Sequence, residues 1–144
     1  IESILANKAV YHDITSETAH TASPFIKKIS PEKAAENLLS VAGEHDFTLF
    51  EYFLTDRAGH KMDMNALKDS ISNLGRFVVE ITKSLGNTTS LILTSDHGNS
   101  ENMNVTTHTL NPVPFMGINM NINNIEKINI QDIFSIVVKN MELK

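Results

Sequence analysis

Three short segments of this 144-residue chain place histidines and carboxylates at spacings that suit chemistry. "FLTDRAGHKMD" sets Asp56 four residues before His60. "LILTSDHGNSEN" puts Asp96 and His97 side by side at the end of an apolar run, and Gly98 lets the backbone turn sharply behind them. "TTHTLNPVPF" holds His108 just ahead of a proline-bounded apolar stretch. Carboxylate oxygens and neutral imidazole nitrogens are the ligands that suit Mn, Zn and related divalent ions. There is no cysteine, so disulfides and thiolate metal sites are excluded and any metal must be held by His and carboxylates. Taken singly, each segment has a plainer reading: a hydrogen-bonded turn, a surface ion pair, a loop histidine. Taken together, they point to a shared metal site.

The elements that must position these residues are partly visible. "SPEKAAENLLSVAGEH" reads as a helix, with Ser30 as N-cap, Pro31 at the first helical position and Gly43 as the stop. "FTLFEYFL", Phe47 to Leu54, has the look of a strand covered on both faces. From Asp63 to Gly86, the residues Met64, Leu67, Ile71, Leu74, Val78, Ile81 and Leu85 recur every three or four positions, which predicts a long amphipathic helix. "SLILTS" reads as another short buried strand and "VPFMGIN" as a third. "IQDIFSIVVKNM" reads as a closing helix with Ile133, Ile136, Val137 and Met141 inward. Before residue 30 a short strand in "KAVYHDIT" and a polar irregular connector in "TSETAHTASPF" are expected. The Asn/Ile-rich "NMNINNIEKINI" is read as compositional.

Strand, helix, strand, strand, helix indicates an α/β fold, a mostly parallel sheet with flanking helices. In such sheets ligands bind beyond the carboxyl ends of the strands, where Asp56/His60 and Asp96/His97 are both expected. The length suits one domain, 1–144. A formal net charge of −5 argues against non-specific nucleic-acid binding, and no apolar run is long enough for a bilayer. No nucleic-acid or membrane partner is therefore expected, and a cytoplasmic location is.

"LILTSDHGNSEN" followed by "THTLNPVPF" closely resembles the metal-binding core of the cofactor-independent phosphoglycerate mutases, within the alkaline phosphatase superfamily. "DRAGHKMD" resembles the Asp-x-x-x-His segment of the same family, and its "GHKMD" is similar to phosphopentomutases. The resemblance covers roughly Asp46 to Phe115, and it implies an alkaline-phosphatase-like core, C-terminal part. Carried over, it assigns Asp56, His60 and His108 to one divalent ion and Asp96 and His97 to a second, Mn or Zn. It implies phosphoryl transfer or phosphate-ester hydrolysis, phosphomutase or phosphatase, on a small phosphorylated substrate. Asn99, Glu101 and Asn111 stand next to these ligands and are read as orienting them, or as loop residues. Arg57 and Lys61 are the nearest cations, read as solvated.

The chain departs from the family pattern at the nucleophile. The family's Ser or Thr, with a further ligand Asp, lies on early strands; Thr15, Ser16 and Thr18 lack that setting, and Asp13 does not fit as the Asp. The chain also begins "IESILANKAVYHD" without an initiator Met. It is therefore expected to be a C-terminal portion of a longer enzyme, inactive by itself, with the nucleophile outside it. The alternative is a non-catalytic metal-binding or assembly domain that has lost the nucleophile. An exposed sheet edge would make a dimer possible. His12, His20 and His45 are read as structural or exposed, with His20 an outside candidate for substrate contact.

Overall fold

The computed structural model describes residues 2–120 and 128–142, so part of "NMNINNIEKINI" lies outside the described residues. The chain divides into two compact units, Ile1–Ser84 with Asn99–Thr107, and Leu85–Gly98 with His108–Lys144.

The first unit is helical. Its elements are α1 (Glu2–Leu5), α2 (Glu17–Ala22), α3 (Pro31–Ala42), α4 (Leu54–His60) and α5 (Met64–Ser84). α3 begins as its sequence predicts: Ser30 Oγ accepts the Lys33 N–H at 3.1 Å, with Pro31 in the first turn. The two fully buried alanines of α3, Ala34 and Ala35, leave room for α5 to pack closely. α5 starts at Asp63, whose Oδ1 accepts the N–H groups of Asn65 and Ala66. Its buried face is Leu67, Ser70, Phe77 and Ile81, with Leu74 half-buried. The apolar stripe read from the sequence is rotated from this face, leaving Met64 and Ile71 about half exposed.

Across the α3–α5 contact Arg76 donates to both oxygens of Glu32, Nε to Oε1 at 2.7 Å and a terminal nitrogen to Oε2 at 2.8 Å. These charge-assisted bonds hold the Glu32 carboxyl down to about 2.

The expected strand at Phe47–Leu54 does not form. Residues 47–53 alternate outward and inward with strand period, but among the described residues no strand pairs with them. Phe50 turns inward onto Phe77, ring centroids 5.3 Å apart, and the Tyr52 hydroxyl donates to the Ser70 carbonyl at 3.0 Å. Burial raises the Tyr52 pKa. The other face, with Phe47 and Leu49, stays exposed. The chain then winds into α4, so Asp56 and His60 sit on a helix, not on the loop after a strand.

The strand expected in "KAVYHDIT" is likewise a turn, and the "irregular" connector contains α2. Asp13 is the reason. It is 1% exposed, and its two oxygens accept the N–H groups of Ser16 and Thr18, each at 2.7 Å, fastening the start of α2. Within that turn Ile14 and Ser16 take positive φ, a conformation L side chains resist.

The last piece of the unit is the segment Asn99–Thr107. It lies on α4 because Gly59 has no side chain. A Cβ there would overlap Asn99 Oδ1 outright and come within 3.2 Å of Ser100 Cα.

The second unit contains β1 (Leu91–Thr94), β2 (Phe115–Ile118) and α6 (Ile130–Glu142). β1 and β2 are antiparallel, Leu91 opposite Ile118 and Thr94 opposite Phe115. This corrects the mostly parallel sheet: among the described residues the sheet has two antiparallel strands. A parallel pair needs a crossover, usually a helix, and residues 95–114 form none. β1 is half-buried where full burial was expected. Asn119 ties the far end, its Nδ2 donating to the carbonyls of Gly86 and Thr89 at 3.1 and 2.9 Å. α6 buries Ile136, while Met141, expected inward, is 44% exposed.

Two outcomes test these assignments. Gly59→Ala forces Asn99 and Ser100 off α4, and overpacking of this kind costs about 1–3 kcal/mol, read as a lower urea midpoint with faster proteolysis of residues 99–107. The folded Glu32 carboxyl lies below its ordinary value, so its contribution is complete above about pH 4.5 and is lost as pH falls towards about 2. Glu32→Gln is thus expected to be less stable than the wild type at pH 7, with the gap closing over that range in urea titrations.

Candidate metal centre

In the first unit the helical repeat brings Asp56 and His60 together. Residues four apart share a helix face, and here His60 Nε2 lies 3.3 Å from Asp56 Oδ1. The other ring nitrogen is fixed from outside α4. His60 Nδ1 stands 2.6 Å from the carbonyl oxygen of Thr106. A carbonyl only accepts, so Nδ1 bears the hydrogen, and the neutral ring presents its lone pair at Nε2. Two electron-rich atoms, Nε2 and a carboxylate oxygen, therefore face one another. That is unfavourable unless positive charge lies between them, as a metal ion or as a proton on Nε2. Two ligand atoms each ~2.1 Å from one ion at the tetrahedral angle stand ~3.4 Å apart, so the observed spacing fits a shared ion.

The second unit repeats this arrangement with different local structure. His97 Nδ1 is 3.3 Å from the Gly98 carbonyl, and His97 Nε2 is 3.5 Å from Asp96 Oδ2. Beyond β1 and β2 the ladder breaks, because Pro112 and Pro114 have no N–H to give. It resumes at one bridge, Gly98 with Thr109, where the Thr109 N–H donates to Gly98 O at 2.8 Å. Residues 97 and 108 are diagonal neighbours on one face of that bridge, close enough for rings to meet. The imidazoles of His97 and His108 stack, centroids 3.5 Å apart and planes 17° from parallel.

The remaining candidates divide. Asn99 is buried, with its backbone N–H donating to Glu101 Oε2 at 2.6 Å. Glu101 thus meets backbone in this contact, and Asn111 is exposed, its N–H reaching Thr109 Oγ1 at 3.4 Å. Asp13 is spent on α2, in keeping with its poor fit as a ligand. His20 Nδ1 donates to the Ile26 carbonyl at 2.7 Å and closes the turn after α2, a structural role. His12 packs its ring between Tyr11 and Phe53, and His45, Arg57 and Lys61 are exposed. Ser16 is buried in the Asp13 turn, so its hydroxyl is not presented for attack.

Sequence reasoning missed two participants. Gly59 carried a signal, a glycine inside the Asp56–His60 spacing. Thr106 carried none, because it acts through its backbone carbonyl.

Comparison with known proteins identifies the family of the chain. The family model described as the Metalloenzyme superfamily matches residues 2–144. Among curated proteins, the chain is 34% identical over 107 residues to a 2,3-bisphosphoglycerate-independent phosphoglycerate mutase of Ehrlichia canis (strain Jake), an alignment covering 65% of this chain and 21% of the relative. Proteins of the same name from Antithamnion sp. and Mycoplasma genitalium are 33% and 31% identical, covering 68% and 67% of this chain and 22% and 20% of theirs. The chain thus spans about a fifth of the length of the relatives it matches. No solved structure matches it. A match along almost the whole sequence makes the chain a member of the Metalloenzyme superfamily.

Proposed function

We propose that this chain supplies the metal-holding part of a phosphoryl-transfer enzyme acting on a small phosphate ester, a phosphomutase in keeping with the names of its relatives. The observation that supports this best is the repeated ligand pair. In both Asp56/His60 and Asp96/His97, Nδ1 is engaged by a backbone carbonyl and Nε2 faces a carboxylate oxygen, at 3.3 and 3.5 Å.

In this reading Asp56, His60 and His108 hold one divalent ion, and Asp96 and His97 hold a second, Mn or Zn. When bound, such a pair of ions clamps the attacking and leaving oxygens of an in-line phosphoryl displacement. The chain's own residues supply ligands held in one tautomer and one orientation. The Thr106 and Gly98 carbonyls prevent each imidazole from turning its N–H towards the ion. In this reading the reactive hydroxyl is supplied from outside these 144 residues; of the hydroxyls beside Asp13, that of Thr15 donates to the Asp13 carbonyl at 3.5 Å and Ser16 is buried.

Titration of the full-length protein with Mn²⁺ by calorimetry checks this. Two ions per molecule are expected, His97→Ala reducing the count to one and Asp56→Ala weakening the other site at least tenfold. Chelation should lower the melting temperature, since saturating metal at a hundred times Kd adds about 2.7 kcal/mol. A full-length protein that takes up neither Mn²⁺ nor Zn²⁺, or that keeps its phosphoryl-transfer activity in His97→Ala, overturns the proposal.

A further inference from the structure

Asn99 is 5% exposed, and neither its buried amide oxygen nor its buried amide nitrogen has a hydrogen-bond partner among the described residues. Its backbone is accounted for, the N–H donating to Glu101 and the carbonyl accepting from Asn102 N at 3.1 Å. Buried side-chain amides are ordinarily paired, because their hydration is lost without replacement. If Asn99 served only to fill space, an apolar residue of the same size would do so without that cost.

Its place is specific. The amide fills the notch left by the missing Cβ of Gly59, three residues after Asp56 and one before His60. Residues three apart share a helix face, so Asn99, resting on Gly59, lies on the side of α4 that carries Asp56. Nδ2 is a double donor, and each carboxylate oxygen has two lone pairs, so a carboxylate that holds an ion still accepts a hydrogen bond.

We infer that Asn99 is a positioning residue of the α4 metal site, its amide nitrogen donating to the Asp56 carboxylate once the ion is bound. This rests on the metal reading of Asp56 and His60. It explains why an amide, and not an apolar group of the same size, is kept in the notch at Gly59.

The test measures two properties of the full-length protein that a filling role and a positioning role move in opposite ways. These are Mn²⁺ affinity by calorimetry and the melting temperature in excess chelator. Asn99→Ala removes the amide, and Asn99→Leu removes it while keeping the notch filled, which guards against simple collapse of the site. Both variants are expected to lose about tenfold in Mn²⁺ affinity. The Leu variant should also melt no lower than wild type in chelator, since an unpaired buried amide has been removed. Unchanged Mn²⁺ affinity in the Leu variant overturns the inference, as does a weakened affinity accompanied by a lower melting temperature in chelator. A wild-type protein that binds no Mn²⁺, or an Asp56→Ala protein that binds two ions as tightly as wild type, overturns the metal reading itself, and this inference with it.

Discussion

The missing side chain of Gly59 is the constraint on which the described arrangement turns. It lets Asn99 lie directly on α4, and seven residues later the Thr106 carbonyl meets His60, the next residue of the same helix. Both ends of the segment 99–107 are thus anchored on adjacent residues of α4. A segment whose ends return to one place must double back, and the chain on either side of it agrees, since Gly98 and Thr109 are bridged. One glycine therefore admits the segment, and the segment delivers the carbonyl that sets the His60 tautomer. Two constraints from different parts of the chain ask for the same closed loop, which is the mutual consistency expected of a sequence that specifies one structure.

How much of this could be read beforehand depended on whether the signal was local. α3 and α5 were legible because their caps and stops lie in the sequence, Ser30 with Pro31, and Asp63. The face that α5 buries was less so. Phe77 faces inward because Phe50 and α3 lie on that side, and no periodicity can say on which side neighbours will be. The run Phe47–Leu54 has strand composition, but a strand is defined by its partners, and among the described residues this run has none, which leaves period-two exposure without a ladder. The parallel sheet was inferred from element order alone, whereas two prolines and a helix-free connection lead the chain back antiparallel.

The site was legible in its residue types and not in its hydrogen bonds. Asp56 with His60, and Asp96 with His97, each meet inside one unit as the spacing suggested. What the sequence could not show is which nitrogen of each ring is engaged elsewhere. That depends on backbone carbonyls, which every residue has, and carbonyls leave no mark in the side-chain pattern.

The contrast between Asp13 and Asp56 shows why burial and residue type alone do not make a metal ligand. Asp13 is the more buried of the two, yet its two oxygens already hold backbone N–H groups at 2.7 Å, so its charge is met by donors that cannot leave without unwinding the start of α2. Asp56 instead faces the nitrogen of a ring whose proton is held on the opposite side by Thr106. A carboxylate answered by backbone N–H groups is stabilised by the fold itself. A carboxylate facing an imidazole lone pair gains most from a positive charge between the two, and helix periodicity holds both groups in that arrangement. Asp96 and His97, neighbours in the chain, are likewise brought together locally, so each Asp–His pair is assembled within five residues and little conformational entropy separates it from that arrangement.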